Sequence, residues 1–134
     1  MPAILHSPPK LLAKQWLELY DRGIVVVVPL AIASTTAYGY LAYVASSKVG
    51  LTSSTTGQLY TAAAILAISN VIFTSIAIMP TNKAISAIAK STSDQGLEKT
   101  VSLVKKWDGL NMTRGYFVLA AAVLGTWTAA SRPL

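Results

Sequence analysis

Three stretches of the chain carry no charged residue: 23–47, 49–82 and 115–131. A hydrocarbon core takes roughly 20 mainly apolar residues as a helix. The first two stretches meet that length, and the third is extended by Met112, Tyr116 and the small residues that follow. The pattern predicts membrane spans over about 23–45, 57–79 and 113–130. Within the first, Val25-Val26-Val27-Val28 would read alone as a strand. An open strand in lipid leaves its backbone groups unpaired, whereas a helix satisfies them internally, so a helix is predicted. Pro29 is expected to bend it.

Polar segments frame these spans. Over 10–22, Lys14, Glu18 and Arg22 fall at i, i+4 and i+8 and can pair in series. Leu12, Trp16 and Tyr20 form another stripe of that segment, read as an interfacial approach helix with its aromatics at headgroup level. The Ser/Thr-rich stretch Gly50 to Thr56 reads as a loop. The second span ends before Pro80, and Thr81 or Asn82 can cap a short helix beginning at Lys83. Asp94-Gln95-Gly96 reads as a turn. Leu97, Val101 and Val104 then recur at helical spacing with Glu98, Lys99, Lys105 and Lys106 off the stripe, predicting a surface-lying amphipathic helix. In the last span Gly115, Ala120, Ala121, Ala122 and Gly125 form a small-residue face that permits close helix contact, including homo- or hetero-oligomerisation. Asn70, an amide inside the second span, is expected to face another helix. The fold class is therefore all-α: one membrane domain over 1–134, with three transmembrane helices and interfacial amphipathic helices.

Composition agrees. Hydrophobic residues make up 53% and charged residues 12%, the latter about half the share of a soluble protein. Cysteine is absent, which excludes disulfides and thiolate metal sites. Met1 to Leu5 lacks a basic region and runs into Ser7-Pro8-Pro9, so no signal peptide is expected. Basic residues are asymmetric: Lys10, Lys14, Arg22, Lys83, Lys90, Lys99, Lys105, Lys106 and Arg114 fall on one side of the predicted topology, Lys48 and Arg132 on the other. This bias puts segment 80–114 in the cytoplasm. The net charge of +6 is then explained by topology and anionic lipid headgroups, with no nucleic-acid partner required.

Candidate chemistry is sparse. The chain has no Walker loop, GxGxxG, GxSxG or HExxH. One histidine, His6, and no cysteine cannot build a usual zinc or copper site, so no metal is expected. Two clusters remain: Phe73-Thr74 with Pro80-Thr81-Asn82, and Trp107 to Arg114. In a helix, Trp107, Asn111 and Arg114 fall at i, i+4 and i+7 on one face, unless Gly109 breaks it. The plain account of both clusters is a helix stop with its cap, an interfacial Trp anchor and a snorkelling Arg.

Four pieces in order resemble the DUF1772 family, and within it the fungal anthrone oxygenases of aromatic polyketide pathways. They are Gln15-Trp16-Leu17-Glu18-Leu19-Tyr20 with Gly23; Pro29-Leu30-Ala31 with Tyr38-Gly39-Tyr40-Leu41-Ala42; Phe73-Thr74 leading to Met79-Pro80-Thr81-Asn82; and Trp107, Asn111 and Arg114. The resemblance covers about 10–128. Family members usually have four membrane helices, and Met1-Pro2-Ala3-Ile4-Leu5 is read as the end of the first, the rest of it lacking here. The family often has a histidine where this chain has Tyr20-Asp21-Arg22-Gly23, so any role of that histidine does not transfer.

The resemblance implies oxidation of an anthrone to an anthraquinone by O2 as co-substrate, without a dedicated cofactor, in an endomembrane. The implied partners are the lipid bilayer and a flat aromatic polyketide. For that chemistry Arg114 is expected to stabilise charge, Asn111 and Asn82 to orient substrate oxygens, and Trp107 to pack on the ring. Thr81 and Thr74 are further binding candidates, and Asp21 a candidate base. Two alternatives stay open: a small non-enzymatic membrane scaffold or accessory protein, and a family oxygenase with another substrate.

Overall fold

The computed structural model describes residues 7–47, 49–50, 53–91 and 96–132. Among these no strand occurs. The order is α1 (Pro9–Ser46), α2 (Thr55–Phe73), a π-helical turn (Thr74–Ile78), α3 (Met79–Lys90) and α4 (Leu97–Ser131). The expected helix ending at Met1 to Leu5, the position of His6, Lys48 opposite the basic side, and most of the Asp94-Gln95-Gly96 turn lie outside the described residues.

Two helical stretches, Pro9–Ser46 and Thr55–Lys90, are long and apolar enough to cross a membrane. They contain the first two expected spans. The third expected span lies within α4, which is more polar over its length and is not among them.

The helices run on through Pro29, Gly109 and Pro80. The approach segment and first span are one 38-residue helix that continues through Pro29. Gly109 lies inside the 35-residue α4. Pro80 does not stop the second span. In an α-helix Pro80 would leave the Ile76 carbonyl without its donor, and its ring would press on that carbonyl. The π turn widens the helix just before it, with the Met79 N–H donating to the Thr74 carbonyl five residues back. Pro80 then occupies the opening of α3, where a missing N–H costs least. Thr81 and Asn82 are consequently helical and buried; they do not cap a helix starting at Lys83.

The described chain forms two compact units. The first comprises residues up to Val27 together with Phe73–Thr113; the second comprises Val28–Ile72 and Arg114–Leu134. In the first, Leu12, Ala13 and Trp16 of α1, Ile85, Ile88 and Ala89 of α3, and Val104 of α4 form the core, with Leu17, Tyr20, Val101, Leu103 and Trp107 packed on it. Two expectations change here. The Leu12–Trp16–Tyr20 stripe points into this core and not to headgroups, because α3 and α4 offer it apolar faces. For the same reason Val101 and Val104 face protein, leaving Leu97 as the exposed member of their stripe. The Glu18–Arg22 pair forms as expected, at 2.6 Å and largely in solvent.

The second unit is built from small residues. Gly57, Tyr60, Ala63, Ala67 and Asn70 are the buried positions of α2, spaced three or four apart along one face. On α4, Ala121, Gly125 and Thr128 are buried. A Cβ at Gly125 would collide with the Tyr38 ring, and one at Gly57 with the Ser46 hydroxyl. Those glycines let neighbouring helices approach closely. Gly115, by contrast, has open space around it, and Ala120 and Ala122 are exposed.

Candidate active site

All the candidate residues except Arg114 lie in the first unit. Trp16 is fully buried. Its ring stacks on Tyr20, one turn further along α1, with centroids 5.2 Å apart and planes 10° apart. Trp107 of α4 meets the same ring edge-on, at 5.6 Å and 90°. Stacked and edge-to-face pairs at such distances are favourable beyond the area they bury. Together they make a rigid aromatic corner where α1 meets α4.

α3 adds polar groups. The π turn and Pro80 turn Thr81 and Asn82 inward, both 3% exposed. Asn82 precedes Ile85 by three positions and Ala89 by seven, so it shares their buried face. Neither its Nδ2 nor its Oδ1 has a hydrogen-bond partner within the protein, although both atoms are buried. The Trp16 Nε1 is in the same condition. Buried polar groups are normally paired, and each one that is not costs about 1–3 kcal/mol.

The remaining candidates differ in placement. Asn111, one turn beyond Trp107 on α4, is half-buried. Thr74 opens the π turn and is half-buried. Asp21 is exposed. Arg114 is half-buried and continues the same helix three residues past Asn111, at the start of the second unit's α4 segment. The structure thus brings Trp107, Thr81 and Asn82 into the first unit's interior and leaves Asp21 on the surface. Among the described residues no group of three or more His, Cys, Asp or Glu side chains is placed to hold a metal.

Trp16 was not among the residues expected to bind. Its spacing from Leu12 and Tyr20 fits an interfacial anchor and a core face equally well. The signals in the sequence that point to it are the four-residue spacing of Leu12, Trp16 and Tyr20 and the Gln15-Trp16 piece of the family resemblance.

The family model described as anthrone oxygenase matches residues 16–124. The chain belongs to the anthrone oxygenase family. The match begins on Trp16 and takes in every candidate above. The chain is 29% identical over 133 residues to anthrone oxygenase AgnL2 of Paecilomyces divaricatus, covering 94% of this chain and 79% of the relative. It is 31% identical to an anthrone oxygenase of Claviceps purpurea, covering 93% and 72%. With anthrone oxygenase nsrD of Aspergillus novofumigatus the identity is 31%, over 90% and 72%. No solved structure matches.

Proposed function

We propose that this chain is a multi-pass endomembrane oxygenase that oxidises an anthrone to an anthraquinone with O2, in an aromatic polyketide pathway. The observation that carries this reading is the first unit's interior. The Trp16, Tyr20 and Trp107 rings stand in one buried cluster with the face of α3 that carries Asn82, whose amide has no partner within the protein. An apolar, planar substrate with a few oxygens is the ligand such a lining complements.

The chemistry needs little from the protein. Loss of one benzylic proton from the anthrone gives an oxygen-stabilised aromatic anion. That anion gives one electron to O2, and the resulting radical and superoxide combine to form a C–O bond. Loss of the second benzylic hydrogen as a proton, with cleavage of the O–O bond, leaves the new carbonyl. The leaving oxygen departs as water. One O2 is consumed, and CH2 becomes C=O with one H2O released. The protein's tasks are to hold the ring, favour the anion and stabilise the reduced oxygen. Trp107 packs on the ring, while Asn82, Asn111, Thr81 and Thr74 orient its oxygens. Arg114 supplies positive charge for the enolate or peroxide. Asp21, exposed at the surface, would act as base only through water. No bound cofactor enters these steps.

The apolar exterior supports membrane placement. Val25, Ile32, Tyr40, Tyr43, Ile76 and Tyr116 are each more than 60% exposed, a pattern suited to lipid and costly in water. The basic residues of segment 80–114 support a cytoplasmic position for it.

The test is to give membranes carrying the chain an anthrone under 18O2 and compare quinone formation with chain-free membranes, since anthrones also oxidise spontaneously. Rate enhancement, with one labelled oxygen in the quinone and one in water, is expected. Arg114→Ala should lower turnover by about 100-fold or more, the usual loss when a stabiliser of developing negative charge is removed, with membrane insertion intact. Full activity in that variant removes Arg114 from the mechanism. Equal rates with and without the chain remove the proposed reaction.

A further inference from the structure

We propose that the first unit binds anionic phospholipid headgroups through Lys83 of α3 and the Lys105–Lys106 pair of α4. This rests on the membrane placement proposed above and adds which lipid the chain selects and which side chains select it.

Among the described residues of the first unit, eight basic side chains, all exposed, stand against four acidic ones. The helices share them unevenly. On α1 the charges nearest the apolar run offset one another: Arg22 is paired with Glu18, and Asp21 stands beside it. α3 carries Lys83 and Lys90 and no acidic residue. α4 carries Lys99, Lys105 and Lys106, with Glu98 and Asp108 as its acidic residues. Glu98 adjoins Lys99 at the start of the helix. Asp108 is half-buried and can offset at most one of the Lys105–Lys106 pair. The unmatched cations therefore belong to α3 and α4.

Their position along each helix selects the partner. Lys83 follows the exposed Pro80 by one turn, on the same face, and Ile76, 73% exposed, lies just before them. Lys106 precedes Met112 and Tyr116, which are 58% and 63% exposed. At 1.5 Å per residue, each lysine stands about 10 Å from exposed apolar surface on its own helix, and a lysine stem can shorten that gap by lying along the helix. A ligand that meets both features is anionic at one end and apolar at the other. A phospholipid is built that way: its phosphate accepts from the lysine ammonium groups and its chains run on over the apolar side chains. The choline of a zwitterionic lipid would bring a cation to the same lysines, so a headgroup with net negative charge is favoured. Lys90 and Lys99 lie about 10 Å further from the apolar surface along their helices, more than one Debye length of about 8 Å. An acidic soluble protein would meet those two first, so they separate the two kinds of partner.

The experiment uses the full chain purified in detergent. Dioleoyl phosphatidylserine and dioleoyl phosphatidylcholine are added at equal concentration, and native mass spectrometry counts the bound lipid of each kind. Phosphatidylserine should exceed phosphatidylcholine by about 5-fold or more, the weight of one lysine near a charged membrane surface. Lys83→Gln and the pair Lys105→Gln with Lys106→Gln should each lower that ratio, and the three together should bring it close to one. Arginine at the same three positions should keep it. Lys90→Gln with Lys99→Gln removes as much charge as the Lys105 and Lys106 pair and should leave most of the preference in place.

Equal binding of the two lipids by the wild type overturns the proposal. So does a ratio that falls as far in the Lys90 and Lys99 variant as in the Lys105 and Lys106 variant, which would make net charge alone responsible. A preference that depends only on Lys90 and Lys99 overturns it in favour of an acidic protein partner. Flotation with phosphatidylcholine vesicles separates this proposal from the membrane placement beneath it. A chain that floats but shows no lipid preference removes the headgroup site alone, whereas a chain that does not float removes both.

Discussion

The two units bury different things. Among the described residues, all four acidic side chains (Glu18, Asp21, Glu98 and Asp108) and eight of the ten basic ones fall in the first unit. Its interior is large and aromatic, and it leaves an amide and an indole N–H unanswered. The second unit inverts this. Its buried positions are chiefly Ala, Gly and hydroxyl residues, while Leu30, Ile65, Leu119, Val123 and other large apolar side chains face outward. Its hydroxyls mostly serve their own helices: Ser46 donates to the Ala42 carbonyl at 2.7 Å, Thr61 to Gly57 at 2.8 Å and Thr128 to Leu124 at 2.7 Å. The Thr35 hydroxyl is the exception, buried without a partner. The second unit pairs most of its hydroxyls within its own helices and is suited to lipid outside. The other keeps hydrogen-bonding capacity in reserve, which is what a ligand site requires.

The largest test of that contrast is Trp16→Ala. It removes the centre of the first unit's core and should cost about 3–5 kcal/mol, the range for emptying a fully buried large aromatic site. Hydrogen exchange should show α3 and the first turns of α4 losing protection first, with α2 retained. Uniform loss throughout the chain would mean that the two units do not respond separately.

A smaller effect comes from the second unit. Gly125→Val puts side-chain atoms where the Tyr38 ring lies, and overpacking of this kind costs about 1–3 kcal/mol. Tyr38 is only half-buried, so it can swing outward, which favours the low end. Gly115→Ala lies in the same helix with open space around it, and it should stabilise by about 0.5–1 kcal/mol through helix propensity. Thermal unfolding in detergent reads both. Equal shifts of the same sign would show that the Gly125 contact does not hold this unit together.

The sequence was legible where one cause dominates. Charge-free runs of span length have few explanations besides apolar helices, and two of the three lie in helices able to cross a membrane. Glu18 and Arg22 at i, i+4 meet because helix geometry brings them together. The sequence misled where two causes share one signal. Pro80 followed by Thr81 and Asn82 marks a helix stop, yet a π turn placed just upstream absorbs the proline, and nothing in Thr74-Ser75-Ile76-Ala77-Ile78 announces that turn. Trp16 at a charged helix edge fits a lipid interface, and only the faces of α3 and α4 decide that it is core. Asn82 was legible as a polar residue of interest. That both ends of its amide go unpaired depends on tertiary packing, which spacing does not encode.

The smallest expected effect lies on the first unit's outer surface. Glu18 and Arg22 pair at 2.6 Å with side chains 66% and 79% exposed. Exposed i, i+4 pairs contribute only about 0.3–0.5 kcal/mol, because water screens the attraction and ordering two long side chains offsets it. Glu18→Ala should therefore shift thermal unfolding in detergent barely above error, and the shift should vanish in high salt. The same measurement sets a scale for the interior. If Glu18→Ala instead rivalled Trp16→Ala, the stability of the first unit would reside in its charged face. The aromatic corner would then be free of structural duty, and the unpaired groups beside it would lose their rigid frame.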